Sequence, residues 1–390
     1  MGGIETFLET ILPHLDAQFD LKLIGMSLDE PLGQWTTISV CGQTYAFLPV
    51  LSRHRAAWLP DRLQLMTAMA RYADEVALSG ADAYYVHMTE AAISLLTLTR
   101  NPVVVHVHGL YNLFEYSRYR LGAAFAHVYD RCYPQLFSRC AKVIGVGSDQ
   151  EYKLFAERMH VRSGVAIPTC VRTDVFRPRP RCEARKLLGI AESDRIALFV
   201  GRMTPTKNPF MLLDAVHVLR NELPHLKPVF IGNGLLREQL ESACRIDGNA
   251  ATLGRLDARE VALWMNAADV MSVVSKTEAF TSFAALEALS CGLPVVATPV
   301  SALPEIIREG VNGTVARDHS VEAYASALRS VLLSPPDKKS CVESVRAYLP
   351  EIIAERVACE IRDAIDGTQI RRASRPHAGS TVSHARPSRA

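Results

Sequence analysis

The segment IALFVGRMTPTKNPFMLLDAVHVL (196–219) passes from an apolar run through a short polar loop into a stretch where Leu212, Leu213, Val216 and Leu219 recur at helical spacing. A buried strand feeding an amphipathic helix is one βα unit. Asn208-Pro209 supplies an N-cap and an N1 proline for that helix. The same alternation continues downstream. Pro228–Ile231, Ala250–Leu253, Val270–Val274 and Pro294–Thr298 read as strands, and Cys291-Gly292-Leu293-Pro294 ends a helix with a C′ glycine and a nearby proline. Upstream, Leu21–Met26, Ala83–His87, Val103–Val107 and Val143–Val146 read as strands, with helical segments at Arg62–Leu78 and Glu90–Leu98. Two successive βα series predict an α/β protein of two doubly wound, parallel-sheet domains.

The boundary falls in Pro168–Pro180, where Pro178 and Pro180 stiffen an irregular link. This gives an amino-terminal domain over 1–176, a carboxy-terminal domain over 177–345, a final helix within 346–366 that could cross back, and a basic tail over 367–390. That tail reads as disordered. The front departs from the pattern. Gly2-Gly3 and the apolar-periodic helix Ile4–Leu15 arrive where a doubly wound domain usually has its first strand. Either that strand is missing or truncated, or the start lies downstream of the true one. The second reading is favoured, because losing a central strand exposes sheet edges.

Composition narrows the class. The 390 residues are 48% hydrophobic and 22% charged, with a net charge of +2. Arg371, Arg372, Arg375, Arg386 and Arg389 more than account for that excess, so the body is net acidic and no nucleic-acid partner is expected. The nine cysteines show no CxxC spacing and no zinc-type cluster with histidine. No apolar run is long enough to span a membrane, and the opening residues lack the basic and apolar pattern of a signal peptide, so none is expected. The expected location is cytoplasmic. The arginine tail or the aromatic–basic segment Tyr111–Arg120 offers peripheral contact with an anionic inner membrane face, although solvation and ordinary packing account for both more simply.

Chemistry concentrates in two places. In 201–209, Arg202 and Lys207 sit five residues apart at a strand's carboxyl end, where ligands bind in such sheets. Two cations there suit a diphosphate, and a solvated basic loop is the equal alternative. In 275–296, Thr281 and Ser282 can open a helix whose free amides suit phosphate oxygens. Glu287 lies a turn inside that helix within an apolar run, where a carboxylate needs a partner. Glu278, taken alone, reads as a surface loop residue. Gly232-Asn233-Gly234 and Gly145-Val146-Gly147 are incomplete for a nicotinamide-binding loop.

Taken in order, GRMTPTKNP (201–209), FIGNGLLREQL (230–240), LGRL (253–256), MNAADVMSVVS (265–275) and LEALSCGLPVVAT (286–298) resemble the GT-B glycosyltransferases of the retaining family 4 type. GGIETFL (2–8), VVHVHG (104–109) and IPTCVRTDVFRP (167–178) match more loosely. The resemblance implies two Rossmann-like domains facing a cleft that takes a nucleotide-sugar donor and a glycan, lipid-linked or small-molecule acceptor. Arg202 and Lys207 would hold the diphosphate, Glu287 the ribose hydroxyls, and Glu278 the transferred sugar, with Phe280, Thr281 and Ser282 beside it. His108 would line the cleft from the amino-terminal domain, and Gly3 would face donor phosphate or acceptor. His106 is expected on the opposite sheet face.

Three features depart from the family pattern. Eight residues rather than seven separate Glu278 from Glu287, Ser301-Ala302 replaces a frequent Gly-Gly, and Thr169-Cys170 replaces Asn-Gly. With no DxD triplet, no metal and no cofactor are expected at the diphosphate. An epimerase or phosphorylase on the same fold, or a catalytically degenerate partner subunit, are the alternatives.

Overall fold

The computed structural model describes residues 3–27, 29–52, 61–109, 122–278 and 282–373. Phe280, Thr281, the segment Tyr111–Arg120 and the tail beyond 373 lie outside them. No helix among the described residues is long and apolar enough to cross a membrane.

The carboxy-terminal half is built on one parallel sheet of β8 (Arg195–Val200), β9 (Leu226–Ile231), β10 (Ala251–Gly254), β11 (Val270–Val273), β12 (Val295–Ala297) and β13 (Gly313–Val315). Its order is β10-β9-β8-β11-β12-β13, so the chain reverses direction across the sheet between β8 and β11. Strands this short are buried on both faces, and Ile196–Phe199, Val295 and Val296 are fully enclosed. One face packs Leu198, Met271 and Leu286, and the other packs Phe199, Leu212 and Tyr324.

The amino-terminal half departs from a single parallel sheet. Here β4 (Tyr84–Val86), β5 (Val103–Val107), β6 (Lys142–Gly145) and β7 (Gly164–Ala166) form a parallel sheet in chain order. A second, three-stranded sheet runs β1 (Lys22–Ser27), β3 (Gln43–Ser52), β2 (Thr36–Val40), with β2 antiparallel to β3. That hairpin turns at Cys41-Gly42, both in left-handed geometry. It escaped the periodicity reading because β2 alternates only between exposed and half-buried positions, with none fully buried, whereas residues 47–50 of β3 are buried in succession. Among the described residues the chain enters on the helix Gly3–Asp16, and β1 and β4 are edge strands of their sheets.

Three boundaries differ from expectation. The helix expected over Arg62–Leu78 breaks at Tyr72 into Asp61–Arg71 and Ala73–Ala77. Asn208 does not cap: it adopts φ +48°, and Pro209 becomes the N-cap of Phe210–Leu219. Asparagine tolerates that left-handed turn better than other L-residues. The last helix runs Pro350–Ala373, past the expected tail boundary and through Gly367. Its Ile353, Val357 and Ile361 pack with Phe7, Ile11 and Leu15 of the first helix, and Lys142 in β6 bonds Glu360 at 2.7 Å. The last described helix therefore packs against the amino-terminal half.

Candidate functional site

In an open parallel sheet, the crevice for a ligand opens outside the strand ends where strand order reverses. Here that point lies between β8 and β11. The loop after β8 carries Arg202 and Lys207, and the loop after β11 carries Ser275 and Glu278. The two loops join through the Lys276 amide, which donates to the Thr206 carbonyl at 2.8 Å. Lys207 Nζ donates to Glu278 Oε1 at 2.5 Å, and Ser275 Oγ donates to the same oxygen at 2.6 Å. Glu278 is only 8% exposed, so the surface-loop reading fails. Its carboxylate holds an ammonium at the crevice mouth, while Arg202 on the same loop is exposed.

The loop after β8 is itself clamped. Met203 N donates to Asn233 O at 2.9 Å, and Leu236 N returns a bond to Met203 O at 2.9 Å. This is the use of the Gly232-Asn233-Gly234 turn. Gly232 has φ +142°, and a Cβ there would stand 1.9 Å from the Gly201 carbonyl oxygen. Gly232→Ala should therefore push the Arg202 loop aside and cost at least about 2 kcal/mol, read as a lowered denaturation midpoint.

Next in the chain, Ser282 caps the helix Phe283–Ser290 by accepting from Ala285 N at 3.4 Å, as its position at a helix start implies. Glu287 sits on that helix with no oppositely charged group bonded to it among the described residues. Burial pushes its carboxyl up to about 7, against a smaller downward pull from Arg172 in the interdomain link. Between the usual carboxyl pKa and 7, the folded chain keeps a proton that the unfolded chain has released. Stability from this group thus falls as pH rises through that window. Glu287→Gln should be near neutral at pH 4 and stabilising by on the order of 2 kcal/mol at pH 8, measured by urea unfolding at both values.

From the amino-terminal half, Gly3 reaches this helix directly. A Cβ on Gly3 would lie 3.4 Å from the Phe283 ring, and Phe283 packs against the cluster that includes Phe7. Two helix N-termini therefore meet at the cleft, a favourable place for negative charge. Phe7 in turn stands edge-on to His106 and His108, with ring centroids at 5.0 and 5.4 Å.

The expectation for His106 is overturned here. Residues two apart on a strand share a face. Val104, His106 and His108 all point toward the first helix, whereas Val103, Val105 and Val107 enter the opposite core. His87, beyond β4, joins them, its Nδ1 lying 2.7 Å from His108 Nε2. Burial, then repulsion from neighbouring imidazoles, holds His87 and His106 well below the usual histidine range.

A second interdomain contact explains one departure from the family pattern. Ser301, standing where glycine is frequent, adopts φ +48°. That conformation costs an L-residue roughly 1–2 kcal/mol. Its Oγ donates to Glu151 Oε1 at 2.9 Å, and Glu151 also completes a capping box with Ser148. A cavity of about 200 Å³ lies alongside, lined from both halves by residues including Ser148, Asp149, Glu305, Tyr348 and Arg356.

The structure thus joins Lys207 to Glu278 and Gly3 to the Ser282 helix, and it keeps Arg202 on the Lys207 loop. It sets His108 among histidines under Phe7. His87, Arg172 and the Ser301–Glu151 pair went unread, because each acts through a partner distant in sequence; Ser275 went unread although its partner Glu278 lies only three residues on.

Residues 181–348 match the family model described as glycosyl transferases group 1. D-inositol 3-phosphate glycosyltransferase of Thermobispora bispora is 34% identical over 186 residues, covering 45% of this chain and 43% of that protein. Its namesake in Geodermatophilus obscurus is 36% identical over 183 residues, covering 44% and 40%. The matched region is thus less than half the length of these curated relatives. Among solved structures, sucrose-phosphate synthase from Thermosynechococcus elongatus aligns over 95% of this chain and 93% of its own, with TM-score 0.72 and 18% identity. Anabaena Alr3699/HepE in complex with UDP aligns over 93% and 96%, with TM-score 0.68 and 18% identity. The chain has the two-domain α/β architecture of the GT-B fold.

Proposed function

We propose that this chain, whose residues 181–348 match group 1 glycosyl transferases, moves a sugar from a nucleoside-diphosphate donor to an acceptor. We further propose that it is of the retaining, family 4 type, with no metal at the diphosphate. The observation that carries this reading is the Lys207–Glu278 pair at the strand-order reversal, on the same loop as the exposed Arg202.

In this account Arg202, Lys207 and the amides at the start of Phe283–Ser290 take the diphosphate and stabilise its charge as it leaves. Glu278 holds Lys207 in place before the donor arrives and then turns its free oxygen to the sugar. Glu287 accepts from the ribose hydroxyls as a carboxylate, so donor affinity should rise between pH 6 and 8. His108 and Gly3 close the site from the amino-terminal half and exclude water. The UDP in the solved neighbour and the phosphorylated polyol in the relatives' names favour a uridine donor and a small phosphorylated or glycan acceptor. A peripheral, non-spanning association with a membrane fits the same reading.

The test is release of nucleotide from UDP-, GDP- and ADP-sugars without acceptor. Slow release from one of them is expected. Formation of an epimerised donor instead would overturn the transfer reading.

A further inference from the structure

We propose that His87, His106 and His108 form a binding site for one divalent transition-metal ion of the zinc class, a site argued apart from the sugar-transfer reading although the two share His108. Strands β4 and β5 pair in parallel through Val86↔Val105, and the next step of that register sets His87 beside His106. His108 follows on the same face. One ring nitrogen from each histidine lies within 4.8 Å of the other two.

Two further observations point to a ligand. His106 is fully buried: its Nδ1 engages the Tyr85 hydroxyl, and its Nε2 has no partner among the described residues. With Nδ1–H donating to the phenol oxygen, Nε2 is left as a bare lone pair. That is the outer-shell arrangement by which proteins fix a metal-binding imidazole. His87 Nδ1 and His108 Nε2 face one another at 2.7 Å, close enough to share a proton or an ion. A buried polar atom left unpaired in a folded protein calls for an occupant.

An ion between His87 and His108 replaces their hydrogen bond without changing net protonation. The shared proton moves to the far nitrogen of the ring that held it, and both facing nitrogens become donors. His106 and His108 lie nearly parallel, 12° apart, so ligation also turns His106 about its ring axis toward the ion. Three neutral imidazoles with no carboxylate suit zinc, cobalt, nickel or copper and not magnesium or calcium. The fourth position stays open to water. Phe7 covers all three rings, with centroids at 5.0 to 6.0 Å. The ion would brace β4 and β5 beneath the first helix, and no step of the proposed transfer passes through it.

The test is titration of the full, chelator-stripped chain with Co²⁺. The expected result is a visible d–d band of a tetrahedral nitrogen site that saturates at one ion per chain. Zn²⁺ should bleach that band and raise the melting temperature. His87→Gln and His106→Asn should each abolish the band. If His106→Asn fails to fold, His87→Gln and the unmodified chain still decide. A folded chain with no band and no Zn²⁺-dependent stabilisation overturns the site. So does a band that survives His87→Gln, or one with sulfur-to-cobalt charge transfer.

Discussion

Arg202→Ala lowers nucleotide release from the donor by about 10²–10³-fold, with the melting temperature almost unchanged. The side chain is exposed on the loop after β8, so its loss leaves no hole in the core and no broken clamp. Lys207→Ala produces a comparable loss of turnover and also lowers stability. It strips the countercharge from Glu278, a carboxylate only 8% exposed that would retain Ser275 alone. The pair of variants therefore separates charge supplied to the diphosphate from charge needed to hold the loop. Steady-state release rates and calorimetric melting on the same preparations give both quantities. Turnover within a factor of two of the parent in both variants would remove the diphosphate role from this loop.

The largest effect on stability belongs to a residue outside the cleft. Arg185, on the helix Arg181–Leu188, has no exposed surface. Its guanidinium donates to Ala267 O at 3.0 Å, Ala191 O at 2.8 Å, Asp194 O at 2.9 Å and Asp269 Oδ2 at 2.8 Å. Asp269 Oδ2 also accepts from the Ile196 amide at 2.8 Å, so the network pins the helix Arg181–Leu188 to the start of β8. Asp269→Ala leaves a buried guanidinium without its bonded carboxylate and should cost about 3–5 kcal/mol in urea unfolding. Replacing both partners by apolar groups, Arg185→Met with Asp269→Leu, should recover part of that loss, since neither charge is then stranded. A double variant no better than Asp269→Ala alone would show that the carbonyl bonds, not the ion pair, carry the stability.

How far the sequence could be read depended on whether a residue's partner lay nearby in the chain. The strand at 103–107 matched the structure and the apolar run opening at 196 came within one residue of it, because an apolar run bounded by polar residues marks a two-sided buried strand by itself. Ser282 and Gly292 were legible for the same local reason: capping chemistry involves residues three or four apart. The β2–β3 hairpin was not, since its burial depends on which neighbour each strand finds. At the site, Arg202, Lys207, Glu278 and Glu287 stood out as charges in apolar or glycine-rich settings. Their relations did not. Nothing near Glu278 announces that Lys207 will reach it from 71 residues away, and the reading of Glu278 as an exposed residue failed on that contact. His106 was misplaced by a parity error that the strand's two-residue period corrects. His87 was invisible beside His106 and His108 until β4 paired with β5.

The most direct test of the account is calorimetric binding of nucleotide sugars to the unmodified chain, followed by the same titration on Glu287→Ala and Arg202→Ala. The account predicts that one of the UDP-, GDP- or ADP-sugars binds at one site per chain, tighter at pH 8 than at pH 6. It also predicts that each variant weakens that binding at least about tenfold, equivalent to 1.4 kcal/mol. Absence of binding by all three donor classes, or binding that neither variant alters, would contradict it.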